Sequence, residues 1–165
     1  MLNTSGVLNY PEAQFEMVRS GIGLYGYGNS VVADKYLKPV ATLKTLISQI
    51  HKIEPGESVG YNRGFTSDTY RVTATLPIGH ADGIPRSMGK GVGWVTIGGE
   101  KAPIVGNVCM DMIMVDITHI DCVEGDPVEI FGDKQSAEQL AQAVGTISYE
   151  LLTAVGDRIK RVVLR

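Results

Sequence analysis

Short apolar runs separated by turn residues fill the chain after Lys38 and predict a mainly β fold. The clearest run alternates apolar and polar positions, with Val72, Ala74, Leu76 and Ile78 on one face. Pro77 within that run favours a strand at a sheet edge, since proline cannot donate a ladder hydrogen bond. Further strands are predicted at residues 112–117, 128–131 and 159–164.

Residues 40–53 are ambiguous between helix and strand. Their apolar positions fit helical spacing, whereas the threonine and isoleucine content and the flanking Pro39 and Pro55 suit a strand. Gly98-Gly99 lies between apolar runs 92–97 and 102–105 and predicts a hairpin connection, because glycine adopts positive φ without steric cost.

One helix is well marked. Ser136 and Gln139 form a capping-box pattern, residues 140–144 continue it, and Gly145 ends it. A second short helix is predicted at residues 148–155. Many short strands with one or two short helices indicate a small antiparallel β-barrel or sandwich.

The first 26 residues have a different pattern. Asn3–Gly6 reads as a polar loop, residues 12–18 as a short helix, and residues 19–26 as a glycine-rich strand end. That order is typical of one α/β repeat. Because a single repeat cannot bury its own faces, this segment needs neighbouring repeats.

Composition removes several classes of function. A net charge of −3 over 165 residues gives no electrostatic case for binding nucleic acid or an anionic membrane. No apolar run reaches the ~18 residues of a membrane span, so we expect a cytoplasmic protein. The two cysteines and three histidines show no metal-ligand spacing, and we therefore predict no metal site.

Four motifs could carry chemistry, and each also has a structural interpretation. Residues 21–26 match GxGxxG, but no helix follows as dinucleotide binding requires; a phosphate cradle from the N–H groups of Gly21 and Ile22 remains open. Residues 80–86 hold His80, Asp82 and Arg86, although Asp82-Gly83 equally suits a turn. Asp111 fits a turn cap. Tyr61 beside Arg63 suits either packing or a general base.

Taken together, six segments resemble the alanine racemase family. In order they are Asn-Thr-Ser-Gly at residues 3–6, Arg-Ser-Gly-Ile-Gly-Leu-Tyr-Gly at 19–26, Ser-Val-Gly-Tyr at 58–61, Pro-Ile-Gly-His-Ala-Asp-Gly at 77–83, Gly-Asn-Val-Cys-Met-Asp at 106–111 and Ile-Ser-Tyr-Glu at 147–150. The series covers nearly the whole chain. Any one segment is weak, but six in the same order are specific.

The resemblance implies a domain division. Residues 1–30 resemble the end of a pyridoxal-phosphate-binding (β/α)8 barrel, and residues 36–165 resemble the family's C-terminal β-domain, which is why 40–53 is assigned as strand. The Schiff-base lysine of the family lies in the earlier barrel, and Lys38, Lys44 and Lys52 do not match it. The chain by itself is therefore expected to be inactive.

The resemblance also implies site residues. Tyr61 would be a catalytic base that reaches the partner's site in a homodimer, opposite the barrel lysine. Met110 and Asp111 would contact the amino-acid substrate there. The cofactor would be held by Ser5, Arg19, Gly21, Ile22 and Tyr149, with Arg19 at the pyridine nitrogen and the others at the phosphate.

Two positions depart from the family pattern. His80 replaces a tyrosine, and Asn107 stands where some members have arginine; both lie on the substrate's approach and affect substrate range. The implied reaction interconverts L- and D-alanine for bacterial peptidoglycan. The rivals are another amino-acid racemase or decarboxylase of the same fold type, a non-catalytic β module for dimer contacts and, third, a nucleotide-binding module.

Overall fold

The computed structural model describes residues 1–28 and 34–164. The chain forms two units, Met1–Thr42 and Leu43–Arg165. The boundary predicted between residues 30 and 36 falls mostly within 29–33, outside the described residues. None of the described helices is long and apolar enough to cross a membrane.

The second unit contains nine strands: β1 Leu43–Leu46, β2 Gln49–Ile53, β3 Ser58–Val59, β4 Phe65–Thr66, β5 Arg71–Leu76, β6 Trp94–Ile97, β7 Glu100–Val105, β8 Ile113–Asp116 and β9 Pro127–Phe131. Seven of the described strands form one antiparallel sheet with the order β1-β9-β6-β7-β8-β5-β2. A separate two-stranded ribbon pairs β3 with β4. The mainly β prediction is confirmed.

The sheet curls toward closure, because β1 and β2 follow each other in the chain but lie at opposite ends of the strand order. Ile47 and Ser48 turn this corner: Ile47 donates to the Asp126 carbonyl, and Ser48 donates to the Thr75 carbonyl. Ile47 is almost fully buried. The strand assignment for 40–53 is thus confirmed, but as two strands separated by this corner.

The glycine hairpin is also confirmed. β6 pairs with β7, and the connecting Gly98 and Gly99 have φ of +58° and +97°. Two consecutive positive φ values suit a tight two-residue hairpin turn. The interior is lined by small and branched side chains with no exposed surface, including Ala74, Val95, Ala102, Ile113, Val115 and Val128.

The edge position predicted from Pro77 is wrong. β5 lies inside the sheet, because it pairs with β2 on one side and with β8 on the other. Pro77 follows Leu76, the last residue of the strand, so its missing N–H removes no ladder bond.

Both predicted helices of this unit are confirmed. α2 spans Ala137–Ala143 with its capping box of Ser136 and Gln139, and α3 spans Ser148–Ala154. The strand predicted at 159–164 is wrong, since these residues are irregular. The Arg161 guanidinium donates hydrogen bonds to three backbone carbonyls of this segment, those of Val155, Gly156 and Ile159.

The first unit differs from the sequence prediction in detail. Asn3–Gly6 is not a loop: Asn3 caps α1, Thr4–Asn9, by accepting the Gly6 N–H at 2.9 Å. The helix predicted at 12–18 is also wrong. A single 3₁₀ turn at Pro11–Ala13 ends before Phe15, whose φ of +37° is incompatible with a helix.

A parallel bridge joins Leu2 to Val18 on either side of α1. Residues 19–26 then contain a 3₁₀ turn, Ile22–Tyr25, instead of a simple strand end. A helix connecting two parallel segments is the arrangement of an α/β repeat.

Candidate active site

Tyr61 projects from a constrained turn and leaves 74% of its surface exposed. The turn, Tyr61–Arg63, follows Gly60 at φ +76°, and both Asn62 and Arg63 have positive φ. Such values are uncommon for residues other than glycine and cluster at functional sites. Within this chain the Tyr61 side chain is therefore not packed in the core.

Asn107 fixes this turn from the neighbouring loop. Its Nδ2 donates to the Tyr61 carbonyl at 3.0 Å. A Cβ at Gly64 would lie 2.7 Å from the same Nδ2, so glycine is needed for the approach. Asn107 therefore positions the backbone of Tyr61, a contact that its place in the sequence does not reveal.

Tyr61 lines a cleft of about 410 Å³ with residues from two other segments. The cleft brings together the predicted catalytic residue, the predicted substrate residues and His80. Its lining consists of Tyr61, His80, Arg86, Val108, Cys109, Met110, Asp111 and Met112.

The two loops that bound the cleft are joined through their backbones. His80 donates its N–H to the Cys109 carbonyl and Ala81 to the Met110 carbonyl, each at 2.9 Å. Gly79 permits this contact, because a Cβ there would lie 2.5 Å from the Met110 oxygen. His80 and Met110 are thereby held at the same site.

Asp82 is not merely a turn residue. Its carboxylate is buried, accepts the Gly79 N–H at 2.8 Å, and receives Nε and Nη2 of Arg158 at 2.6 and 2.9 Å. The hydrogen bonds from Arg158 lower the pKa of Asp82, against the opposing effect of burial. Because Asp82 lies at the end of the loop that begins at Gly79, its pairing with Arg158 ties that loop to the C-terminal segment.

Arg158 also reaches the cleft itself. Its Nη2 donates to Asp111 Oδ1 at 2.7 Å. One guanidinium thus connects buried Asp82 with the predicted substrate residue Asp111, and both carboxylates raise the pKa of Arg158. Sequence reasoning missed Arg158, since it lies between the helix predicted at 148–155 and the strand predicted at 159–164, outside every motif.

Thr4 ties the start of α1 to the glycine turn that holds the predicted cofactor residues Gly21 and Ile22. The buried Thr4 Oγ1 accepts the N–H groups of Gly21 and Gly23 at 3.0 and 3.2 Å. Ser5, the next residue along α1, accepts Asn9 Nδ2 at its hydroxyl oxygen at 3.2 Å. The sequence analysis assigned no role to Thr4, although Thr4 lies between Asn3 and Ser5 in one of the six segments that resemble the family.

The glycine turn has an open side and a spare donor. A Cβ at Gly21 would meet no atom within 4 Å. Ile22 is the first residue of the 3₁₀ turn Ile22–Tyr25, so its N–H has no carbonyl partner within that turn. A turn N–H beside open space has the chemistry of a phosphate site, which fits the group that the resemblance implies.

Arg19 and Tyr149 lie in separate units. Arg19 is anchored by its own N–H, which donates to the Leu2 carbonyl at 2.8 Å, and its side chain is exposed. Tyr149 is half-buried on α3, where its carbonyl accepts the Thr153 hydroxyl at 2.7 Å.

Over the described part of the chain, no three His, Cys, Asp or Glu side chains form a group suited to a metal ion.

The curled sheet carries the loops that bound the cleft of Tyr61, His80 and Met110, and together they define a β-domain with a candidate small-molecule site. The family model for the alanine racemase C-terminal domain matches residues 40–163. The chain belongs to this family.

Relatives cover the first unit as well. The chain is 42% identical over 171 residues to alanine racemase 1 of Clostridium acetobutylicum, with 99% of this chain and 44% of the relative aligned. It is 44% identical over 170 residues to the alanine racemase of Treponema denticola, covering 97% of this chain and 44% of that one. The chain thus spans less than half the length of these relatives.

Solved structures agree with the fold. The alanine racemase of Bartonella henselae, described with covalently bound pyridoxal phosphate, superposes with a TM-score of 0.88 at 37% identity, over 98% of this chain and 45% of that one. The enzyme of the D-cycloserine producer Streptomyces lavendulae gives 0.91 at 33% identity, over 99% and 45%. The resemblance stated from the six segments is confirmed.

Proposed function

We propose that this chain is part of an alanine racemase that interconverts L- and D-alanine. The observation that carries the proposal is the exposed Tyr61 on a fixed turn beside the cleft, within a chain of this family. A packed tyrosine would have no access to a substrate. Here the phenol is presented outward, where a proton can be exchanged with a bound molecule.

The cofactor we propose is pyridoxal 5′-phosphate, which the related Bartonella structure contains. When bound, it withdraws electrons from the substrate's Cα and so makes the Cα–H more acidic. Ser5, Gly21, Ile22 and Tyr149 would hold its phosphate. The permanently charged Arg19 would face its ring nitrogen and, as a donor that cannot give up its proton, keep that nitrogen unprotonated.

Tyr61 would serve one face of the substrate. Racemisation removes the proton from one face of Cα and returns a proton to the other, so two bases are needed. The Tyr61 hydroxyl oxygen takes or gives the proton on its side. The second base would be the lysine that forms the Schiff base with the cofactor. That lysine would lie in the part of the relatives that this chain does not span.

Met110 and Asp111 would contact the substrate in the site of a second copy of the protein. Tyr61 and Met110 expose 74% and 69% of their surfaces, and Met112 beside them is also exposed. Exposed apolar side chains gathered around a cleft favour an interface. We therefore propose a homodimer in which each subunit completes the partner's site.

The proposed setting is the bacterial cytoplasm, where D-alanine is supplied for peptidoglycan. Cys109 and Cys122 are both free thiols. Free thiols suit a compartment in which glutathione and thioredoxin keep cysteines reduced.

Complementation of a bacterium that requires D-alanine tests the proposal. The full-length product of the gene should restore growth without added D-alanine, and its Tyr61→Phe variant should not. Failure of the wild-type gene, with soluble protein present, would contradict the proposal. Turnover or decarboxylation of another amino acid would instead support the rival enzyme, and dimerisation without turnover would support the non-catalytic module.

A further inference from the structure

We infer that Arg158 is a positioning residue, which fixes the Asp111 carboxylate in the cleft and thereby sets substrate affinity. This inference rests on the proposed function. It concerns the C-terminal segment 155–161, which sequence analysis linked to no activity.

The anchor of this arrangement is Asp82. Its carboxylate is buried and accepts hydrogen bonds from the Gly79 N–H and from two nitrogens of Arg158. Two parallel hydrogen bonds define the plane of a guanidinium as well as its position. Arg158 is therefore oriented by Asp82 before it meets any other group.

The backbone reinforces the anchor. Gly156 donates its N–H to the Asp82 carbonyl at 3.3 Å. A Cβ at Gly83 would lie 2.5 Å from the Ala154 oxygen, and a Cβ at Gly156 would lie 2.9 Å from the Ala81 oxygen. The segment that carries Arg158 thus packs directly against the loop that carries Asp82 and His80.

Asp111 is the exposed side of the arrangement. Its side chain is 57% exposed, so without a partner it would sample several rotamers. The remaining N–H of Arg158 Nη2 points to Asp111 Oδ1 at 2.7 Å. The fork geometry consequently selects one orientation of the carboxylate and leaves Oδ2 for a ligand.

The same contact sets the charge at the cleft. One guanidinium lies between two carboxylates, so the trio keeps one negative charge beside the cationic Arg86 in the lining. A fixed acceptor binds a substrate donor with less entropy loss than a mobile acceptor does. We therefore expect Arg158 to act on KM more strongly than on kcat.

A double-mutant cycle on the full-length enzyme tests this role. Arg158→Lys keeps the charge but cannot hold both carboxylates in a planar fork. It should raise the KM for alanine about tenfold, the effect of one hydrogen bond to a charged group. In the Asp111→Asn background, Arg158→Lys should change KM less than twofold. Equal effects in both backgrounds would overturn the inference.

Arg161→Lys is the matched control, because Arg161 lies in the same segment but donates to backbone carbonyls. If loosening the segment were sufficient, Arg161→Lys would raise KM as much as Arg158→Lys, and the positioning role would be refuted. We expect its KM to stay within twofold of wild type.

A crystal structure of the Arg158→Lys enzyme separates this inference from the proposed function. Asp111 should adopt more than one rotamer there and a single rotamer in wild type. An unchanged single Asp111 rotamer would refute positioning even if alanine is racemised. Absence of racemisation by wild type, with Asp111 released in the variant, would leave positioning intact and refute the activity.

Discussion

Arg158 Nε lies 2.6 Å from Asp82 Oδ1, although the two residues are 76 positions apart in the chain. This pair joins the last segment of the chain to the loop that carries His80. Since Asp82 is buried, its pairing affects stability as well as the geometry of the cleft.

The pair makes stability depend on acid pH. Arg158 lowers the pKa of Asp82 in the folded protein below its value of about 3.9 in the unfolded chain. Its contribution is therefore fully present above that unfolded value and is lost as pH falls through the lower folded pKa. Asp82→Asn should lower Tm at neutral pH, and the difference from wild type should shrink below about pH 4.

Thermal unfolding of both proteins from pH 7 to pH 2 measures this difference. Asp133→Asn is the control, because Asp133 is exposed, and its Tm should follow wild type at every pH. A Tm difference for Asp82→Asn that is the same at pH 7 and pH 2 would rule out the linkage.

The approach of two loops at Gly79 can be tested separately. Gly79→Ala would place a Cβ 2.5 Å from the Met110 carbonyl oxygen. Such overpacking costs about 1–3 kcal/mol, and it should also raise KM because it displaces Met110. Chemical denaturation and steady-state kinetics provide the two readings.

Gly98→Ala is the matched control for this substitution. It lies in the hairpin turn with φ of +58° and open space around it, so it should cost stability without changing KM. An unchanged KM in a Gly79→Ala enzyme would show that the loop contact does not shape the cleft.

Arg19 offers a spectroscopic test of the proposed cofactor contact. Arg19→Glu would replace a permanent cation with a carboxyl group, which can give the ring nitrogen a proton. The ring would then withdraw electrons more strongly, and we expect a new long-wavelength absorption band when alanine is added. Lys35→Glu, an exposed charge reversal in the same unit, should leave the spectrum as in wild type. The same spectrum for Arg19→Glu and wild type would argue against the contact.

The sequence predicted the sheet well and the connections poorly. The alternation of apolar and polar residues at β5 indicated which side chains are buried, and the glycine pair before β7 indicated the turn. Both are local properties of the chain. The corner at Ile47 was hidden, because two short strands around a bend mimic helical spacing. The polar pattern at Asn3 predicts a loop, although the same side chain caps a helix equally well.

The candidate site shows the same division. Tyr61, Met110 and Asp111 were found through the family motifs, and the structure brings them to one cleft. Arg158, Asn107 and Thr4 act through hydrogen bonds to residues distant in sequence, so no local pattern marks their roles. Such contacts emerge only when the folded chain brings the partners together.

Exchange of the Cα proton with solvent is the most direct test of Tyr61 as the base that serves one face of the substrate. The full-length enzyme is incubated in D2O with L-alanine or D-alanine, and early Cα deuteration is measured by mass spectrometry. Tyr70→Phe is the control, because Tyr70 is also an exposed tyrosine but does not line the cleft.

Tyr61→Phe should slow exchange by about 100-fold or more from one enantiomer and far less from the other, since only one face loses its base. Tyr70→Phe should exchange both enantiomers at the wild-type rate. Equal exchange rates from both enantiomers in Tyr61→Phe, whether wild-type or equally reduced, would contradict the assignment of Tyr61 as the base of one face.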